Sequence, residues 1–234
     1  MKIQVLKSVF LIVFLVGNFS INAQDWANLK RFQKENDTLL LKPEIKNRVV
    51  FMGNSITEGW KGTHPDFFSK NPYVCRGISG QTTPQMLVRF RQDVISLKPE
   101  VVVILAGTND IAGNTGPSTP EMILDNLKSM TELSTANNIR VVLCSVLPAY
   151  DYPWRKGLEP NIKIPQLNKM IEEYAKTAKI TYLDFFSAMA DEKNAMKAAY
   201  TYDGVHCTSA GYDVMEAMVV PAIQKALKTK PRKK

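Results

Sequence analysis

From Arg48 onward, short apolar runs rich in valine and isoleucine alternate with longer amphipathic stretches. Five runs read as strands: Arg48–Met52 (RVVFM), Tyr73–Arg76, Val101–Ala106 (VVVILA), Arg140–Val146 (RVVLCSV) and Thr181–Asp184. VVVILA is almost wholly apolar, as a central parallel strand buried on both faces requires. Between the runs, the pattern predicts helices over Pro84–Leu97, Thr119–Asn137, Ile162–Ala178 and Ser209–Leu227. Pro84 after Thr83, and the Thr119-Pro120-Glu121 start, suit first helical turns. Pro221 is expected to interrupt or bend the last helix. Residues 24–47 read as a helical lead-in packed on the outside. The repetition implies one doubly wound α/β domain around a five-stranded, mostly parallel sheet, with ligands beyond the carboxyl ends of the strands.

The first 23 residues break this pattern. Lys2 and Lys7 precede an apolar run from Val9 to Val16, followed by Gly17, Asn18, Ser20 and Ala23. That order is expected of a secretory leader cut near Ala23, giving a periplasmic or secreted protein. The alternative, a transmembrane anchor, needs roughly 20 apolar residues, more than this run supplies. No cysteine follows the run to carry a lipid. The layout is thus a leader over 1–23, the lead-in over 24–47, one domain over 48–227, and a basic tail over 228–234. A chain of 234 residues with 45% hydrophobic content can fill a single core of that size.

Charge changes the picture only at the ends. Lys2, Lys7, Lys228, Lys230, Arg232, Lys233 and Lys234 account for most of the formal +8, leaving 23 basic against 22 acidic residues between them. Such a body is not a phosphate-binding surface, so nucleic acid is not an expected partner. Cys75, Cys144 and Cys207 are odd in number and lack metal-like spacing; buried free thiols are expected at Cys75 and Cys144. His64 and His206 are the only histidines, which excludes a multi-histidine metal site.

The strand ends deliver candidate chemistry. The first strand leads into Gly53-Asn54-Ser55-Ile56-Thr57, where Ser55 can project a hydroxyl past the sheet edge; the same residues also suit an ordinary strand-to-helix cap. After the second strand, Gly77-Ile78-Ser79-Gly80 lets Gly80 present a bare backbone N–H, and the third ends in Gly107-Thr108-Asn109-Asp110, where Asn109 can aim a side-chain amide at the same cleft. Near the carboxyl end, Asp203-Gly204-Val205-His206 spaces an acid three residues from an imidazole, so the carboxylate can fold back onto one ring nitrogen while the other faces Ser55.

Taken in order, Ser55 in GNSIT, Gly80 in RGISGQ, Asn109 in GTND, and Asp203 with His206 in DGVH resemble the four blocks of the SGNH, or GDSL-type, hydrolase superfamily over about residues 48–227. Within it, FMGNSITEGW is similar to the subgroup of platelet-activating-factor acetylhydrolases and bacterial acetyl esterases. The resemblance implies a flavodoxin-like three-layer α/β/α fold and acyl hydrolysis without metal or cofactor. It also implies a Ser55–His206–Asp203 triad and an oxyanion hole from the backbone N–H groups of Ser55 and Gly80 with the Asn109 amide. Asn54 departs from the aspartate common before the nucleophile; it keeps hydrogen-bonding capacity without the charge.

Weaker candidates surround these. Ser79 is a rival nucleophile in the oxyanion loop, Asp184 a rival orienting acid, and Asp110 a brace for the loop after Asn109. His64, in a Gly-Thr-His-Pro loop, is expected to be exposed, with a substrate contact as its functional reading. Asn54, Trp60, Tyr150, Tyr152 and Trp154 are possible substrate contacts, the last three in the loop PAYDYPWRKGLEP; packing of that loop onto the domain is the alternative. The expected partner is a small-molecule or glycan ester, with no stable membrane span once the leader is removed. An exported enzyme meets glycans and lipids, so removal of acetyl or another short acyl group from carbohydrate leads. A lysophospholipase or broad arylesterase is second, and a catalytically silent carbohydrate-binding protein is the alternative of another class. The sequence sets no oligomeric state.

Overall fold

The computed structural model describes residues 25–43 and 45–231. The expected leader and its cleavage point, and Arg232, Lys233 and Lys234 of the tail, lie outside the described residues. Five strands, β1 (Val49–Gly53), β2 (Tyr73–Gly77), β3 (Val101–Leu105), β4 (Arg140–Cys144) and β5 (Thr181–Leu183), form one sheet in the order β2-β1-β3-β4-β5. Every neighbouring pair is parallel, so the sheet expected to be mostly parallel is wholly so. Register makes the sheet edge useful. Gly53 of β1 stands level with Gly77 of β2 and Leu105 of β3, so three loops leave side by side. The chain leaves β1 toward β2 on one side and reaches β3 on the other, which opens a crevice at β1.

Helices cover both faces. In chain order they are α1 (Gln33–Leu40), α2 (Ser55–Thr63), α3 (Pro65–Ser69), α4 (Thr83–Asp93), α5 (Thr108–Ile111), α6 (Pro120–Ala136), α7 (Pro160–Thr177), α8 (Phe185–Met189) and α9 (Ser209–Lys228). Successive strand side chains point to opposite faces, and the core divides accordingly. Val50, Met52, Val102, Ile104 and Leu143 pack with Met86 and Phe90 of α4, Leu127 of α6 and Leu167 of α7. Phe51, Val101, Val103 and Val142 pack with Trp60 of α2, Phe185 of α8, and Met215 and Val219 of α9. The result is a three-layer α/β/α structure.

The lead-in is less helical than expected, with one eight-residue helix, α1, between turns. The helix expected over Pro84–Leu97 ends at Asp93, and a 3₁₀ turn over Ile95–Leu97 finishes the segment. Pro221 does not interrupt α9, which runs from Ser209 to Lys228. Proline removes one intrahelical hydrogen bond, and the buried Val219 and Ile223 on either side hold the helix to the sheet. The short helices α2, α3, α5 and α8 span too few turns to give a readable period.

Beneath the carboxyl edge lies a buried ionic network. The Arg89 side chain is fully buried and donates from Nε to Gln81 Oε1 (2.6 Å), from Nη1 to Asp93 Oδ2 (3.0 Å), and from Nη2 to the carbonyls of Gly53 (3.1 Å) and Arg76 (2.8 Å). Asn36 of α1 donates to Asp93 Oδ1 at 2.7 Å and accepts from Nε and Nη2 of Arg76. One guanidinium therefore ties the ends of β1 and β2 to α4 and to the loop that contains Gly80. Arg89→Met keeps the bulk but leaves Asp93 buried without its cation, and should cost about 3–5 kcal/mol in urea unfolding; a loss below about 1 kcal/mol would contradict this role.

Candidate active site

Ser55 is the first residue of α2, separated from the end of β1 by Asn54 alone. Asn54 is the cap: its Oδ1 accepts from the Ile56 N–H at 3.0 Å, and the residue is 1% exposed. Its buried cap role places it away from substrate, a correction to its reading as a possible contact. The turn is tight because two strands meet it at glycine. A Cβ on Gly77 would collide with the backbone of Asn54, Thr57 and Glu58, so glycine lets the first turn of α2 rest on the end of β2.

The loop before α9 brings up the imidazole. His206 Nε2 lies 2.9 Å from Ser55 Oγ, and Nδ1 lies 2.7 Å from Asp203 Oδ2. Asp203 Oδ1 accepts the backbone N–H groups of Val205 (2.9 Å) and His206 (2.7 Å), so both carboxylate oxygens hold the same short turn. Thr201 closes it, donating from Oγ1 to the His206 carbonyl and accepting from the Gly204 N–H. Partial burial pushes the Asp203 carboxyl up, but the hydrogen bonds from His206 and Val205 and the nearby imidazole outweigh it and hold the group below its ordinary value.

A cleft of about 320 Å³ lies over this pair, lined by Ser55, His206, Gly80, Asn109 and Trp154, with Ser79 and Asn114. Asn109 Nδ2 donates one bond to the Gln81 carbonyl at 3.0 Å, which fixes the amide and leaves its second hydrogen for a ligand. Asn114, absent from the sequence reading, donates to the Gly80 carbonyl at 3.1 Å and so braces the Gly80 loop. Tyr202 is a second omission: its exposed ring stacks on His206 with centroids 5.9 Å apart. An aromatic just before DGVH was the available signal.

The other candidates occupy different places. Ser79 donates to Glu58 Oε2 at 2.5 Å, and its N–H does the same at 2.8 Å. Asp184 caps α8, accepting from the Ser187 N–H. Trp60 is 1% exposed within an aromatic cluster, stacked on Phe67, with Nε1 donating to Glu216. Tyr152 is fully buried, its hydroxyl donating to the Thr108 carbonyl at 2.9 Å. These two are therefore not substrate contacts; Tyr152 instead stacks beneath Trp154 at 5.2 Å. Tyr150 is exposed but does not line the cleft, whereas Trp154 does. His64 is not the exposed loop residue expected. Its side chain is 14% exposed, with Nδ1 2.7 Å from Glu216 Oε1 and Nε2 2.8 Å from Ser209 Oγ. All three cysteines are buried free thiols.

Among the described residues, no group of three or more His, Cys, Asp or Glu side chains is placed to hold a metal ion. No helix among them is long and apolar enough to cross a membrane. Another cavity, of about 420 Å³, lies at the amino ends of β4 and β5 near Ile139, Arg140 and Thr181, far from the serine–histidine pair.

Several known proteins share this arrangement of elements. The sequence profile of the GDSL-like Lipase/Acylhydrolase family matches residues 51–214. A GDSL-like lipase from Bacteroides thetaiotaomicron is 52% identical, with 86% of this chain and 98% of that one covered and a TM-score of 0.83. A Bacteroides fragilis protein provisionally named an acylhydrolase is 50% identical, with 88% and 100% covered and a TM-score of 0.85. An acetylxylan esterase from Geobacillus stearothermophilus is similar in fold, at 18% identity, 76% and 94% coverage and a TM-score of 0.61. The chain spans only 40% and 48% of the length of two curated relatives, an Escherichia coli N-acylneuraminate cytidylyltransferase and a Bacillus subtilis lipoprotein.

Asp110 supports the Asn109 loop from below, as expected of a brace, accepting from the Thr83 N–H (2.9 Å) and hydroxyl (2.6 Å). Burial pushes its carboxyl up to about 6 despite these donors. The folded protein thus binds a proton there that the unfolded chain releases, and this contribution to stability is lost as pH rises through about 6. The stability of Asp110→Asn minus that of the parent should therefore fall as pH drops from about 7.5 to about 5, since only the parent gains. A pH-independent difference in urea unfolding would contradict the assignment.

Proposed function

The chain belongs to the GDSL-like lipase/acylhydrolase family, and we propose that it is an exported serine esterase that removes short acyl groups from carbohydrate. The observation that carries the chemistry is the 2.9 Å contact between Ser55 Oγ and His206 Nε2 at the mouth of the cleft. In this reading Ser55 Oγ attacks the ester carbonyl carbon while His206 Nε2 takes its proton. Asp203 holds the Nδ1–H tautomer and stabilises the imidazolium that forms. Negative charge on the carbonyl oxygen is met by the N–H groups of Ser55 and Gly80 and the Asn109 amide, with the amino end of α2 favouring the same charge. His206 then returns the proton to the leaving alcohol, and water repeats the sequence on the acyl-serine.

The short-acyl assignment draws on the lining of the cleft. Trp154 is the one large apolar side chain among the residues that line it, the rest being small, polar or the catalytic imidazole. Carbohydrate is favoured by that partly exposed indole beside His206, a surface on which a sugar ring can lie. The acetylxylan esterase of similar fold is consistent with this but, at 18% identity, supports the fold alone. Export draws on the first 23 residues.

Ser55→Ala should lower kcat on 4-nitrophenyl acetate by about 10⁴ or more, and Asp203→Asn by about 10⁴. Asn109→Ala should lose about 10²–10³. Unchanged turnover in Ser55→Ala would refute the serine mechanism. Across nitrophenyl esters, rates should decline beyond butyrate; a rise would favour the lysophospholipase or arylesterase reading instead.

A further inference from the structure

The cleft does not end at the catalytic residues. Past Gly80, Asn114 and Trp154 it continues into a second depression that ends at Gly113 and Arg155. Of the residues lining the two depressions, Arg155 alone carries a permanent charge. Carboxylates on the surrounding segments are engaged elsewhere: Asp110 with Thr83, Asp203 behind His206, Glu58 with Arg31 and Ser79, Asp151 with the N–H groups of Tyr152 and Gly157.

Arg155 is also held in a fixed direction. Its Nη1 donates to the carbonyls of Ala112 (2.8 Å) and Gly113 (2.7 Å), in the loop that follows Asn109. Gly113 has a φ of +70°, and a Cβ there would come within 2.7 Å of Nη1. The positive φ favours glycine at this turn, and the missing side chain leaves the guanidinium room to lie against it. With one nitrogen spent on the loop, the opposite edge of the planar fork remains for a ligand, and a carboxylate matches that edge with two parallel hydrogen bonds.

Reaction geometry decides which part of a substrate reaches it. The leaving oxygen must come within reach of His206 Nε2, so the leaving group lies on the His206 side of the scissile bond. Trp154 is there, its ring centroid 6.0 Å from that of His206, and Arg155 follows it in the chain and along the cleft.

We propose that the leaving alcohol of the natural substrate carries a carboxylate, as a uronic acid residue does, and that Arg155 receives it while the sugar ring lies against Trp154. This rests on the carbohydrate-ester reading above and narrows it to acidic glycans. Arg155 is then a specificity-determining residue, acting on substrate choice rather than on bond cleavage.

The test compares methyl glucuronide and methyl glucoside acetylated at the same hydroxyl, following acetate release. The parent enzyme should favour the glucuronide by about 10-fold in kcat/KM, consistent with a charge-assisted bidentate contact. Arg155→Met should bring the ratio to within about twofold of one, and Arg155→Lys should leave it between. Because the readout is a ratio, a general loss of activity or folded protein does not move it. Raising salt from about 50 to about 500 mM should narrow the parent's ratio. A parent ratio near one, or a ratio that Arg155→Met leaves unchanged, overturns the proposal.

A second measurement separates this failure from failure of the carbohydrate reading. Unacetylated methyl glucuronide should inhibit 4-nitrophenyl acetate hydrolysis more strongly than methyl glucoside, and only in proteins that retain a cation at 155. Equal inhibition constants overturn the role of Arg155 whatever the sugar acetates do. Turnover of 4-nitrophenyl acetate with neither sugar acetate cleaved defeats the carbohydrate reading instead. A preference for 4-nitrophenyl hydrogen succinate over the acetate, lost in Arg155→Met, would put the anion on the acyl side and overturn the leaving-group assignment.

Discussion

A guanidinium withdrawn from water destabilises a fold unless nearly every N–H meets an acceptor, and in this protein that constraint organises the end of the sheet where the chemistry gathers. Arg89 takes its acceptors from four places: the carbonyl that ends β1, the carbonyl of Arg76 in β2, the Gln81 side chain next to Gly80, and Asp93 one turn along α4. Shifting any one of them would leave the buried guanidinium short of an acceptor. The start of α2, with Ser55, and the loop with Gly80 are therefore held to one frame. Asn109 joins it through the Gln81 carbonyl, and Asp110 through Thr83.

The acid and base are braced differently. The turn from Thr201 to Cys207 is held mainly by its own atoms, with Asp203 and Thr201 each serving two or more partners within it. It is tied to the body by the buried Val205 and Cys207, one in each core, and through α9, where His64, at the far end of the helix that Ser55 begins, meets Ser209 and Glu216. The 2.9 Å serine–histidine contact joins a deeply buried frame to a compact, more exposed turn. Tyr202 and Trp154 flank the imidazole at that junction, so substrate-facing surface concentrates on the exposed side.

Much of this was legible in the sequence. Strands buried on both faces announce themselves as unbroken apolar runs, and loops at the ends of parallel strands converge whatever their separation along the chain. Ser55, Gly80 and Asn109 could therefore be placed beyond the ends of the first three strands, whereas their meeting with Asp203 and His206, in the loop before α9, was implied by the resemblance of the four blocks to SGNH hydrolases. What depends on tertiary surroundings was not legible. Arg89 and Asp93, one turn apart on α4, carry no local mark of the buried network they form, since their partners Gln81, Gly53, Arg76 and Asn36 come from other segments. Trp60 and Tyr152 read as possible substrate contacts, with packing onto the domain as the alternative. Trp60 stands one helical turn after Ile56, an apolar spacing readable only once α2 is seen to begin at Ser55. Tyr152 is buried because Thr108, 44 residues away, accepts its hydroxyl. His64 finds its partners about 150 residues further along.

The central claim, that His206 activates Ser55 as the nucleophile, is tested most directly by covalent capture. After reaction with one equivalent of a fluorophosphonate ester, peptide mass spectrometry should find the phosphonyl group on Ser55 in the parent protein, and labelling should slow sharply in His206→Ala. Modification at Ser79 or Ser209, or labelling of Ser55 at the same rate without the imidazole, would contradict it.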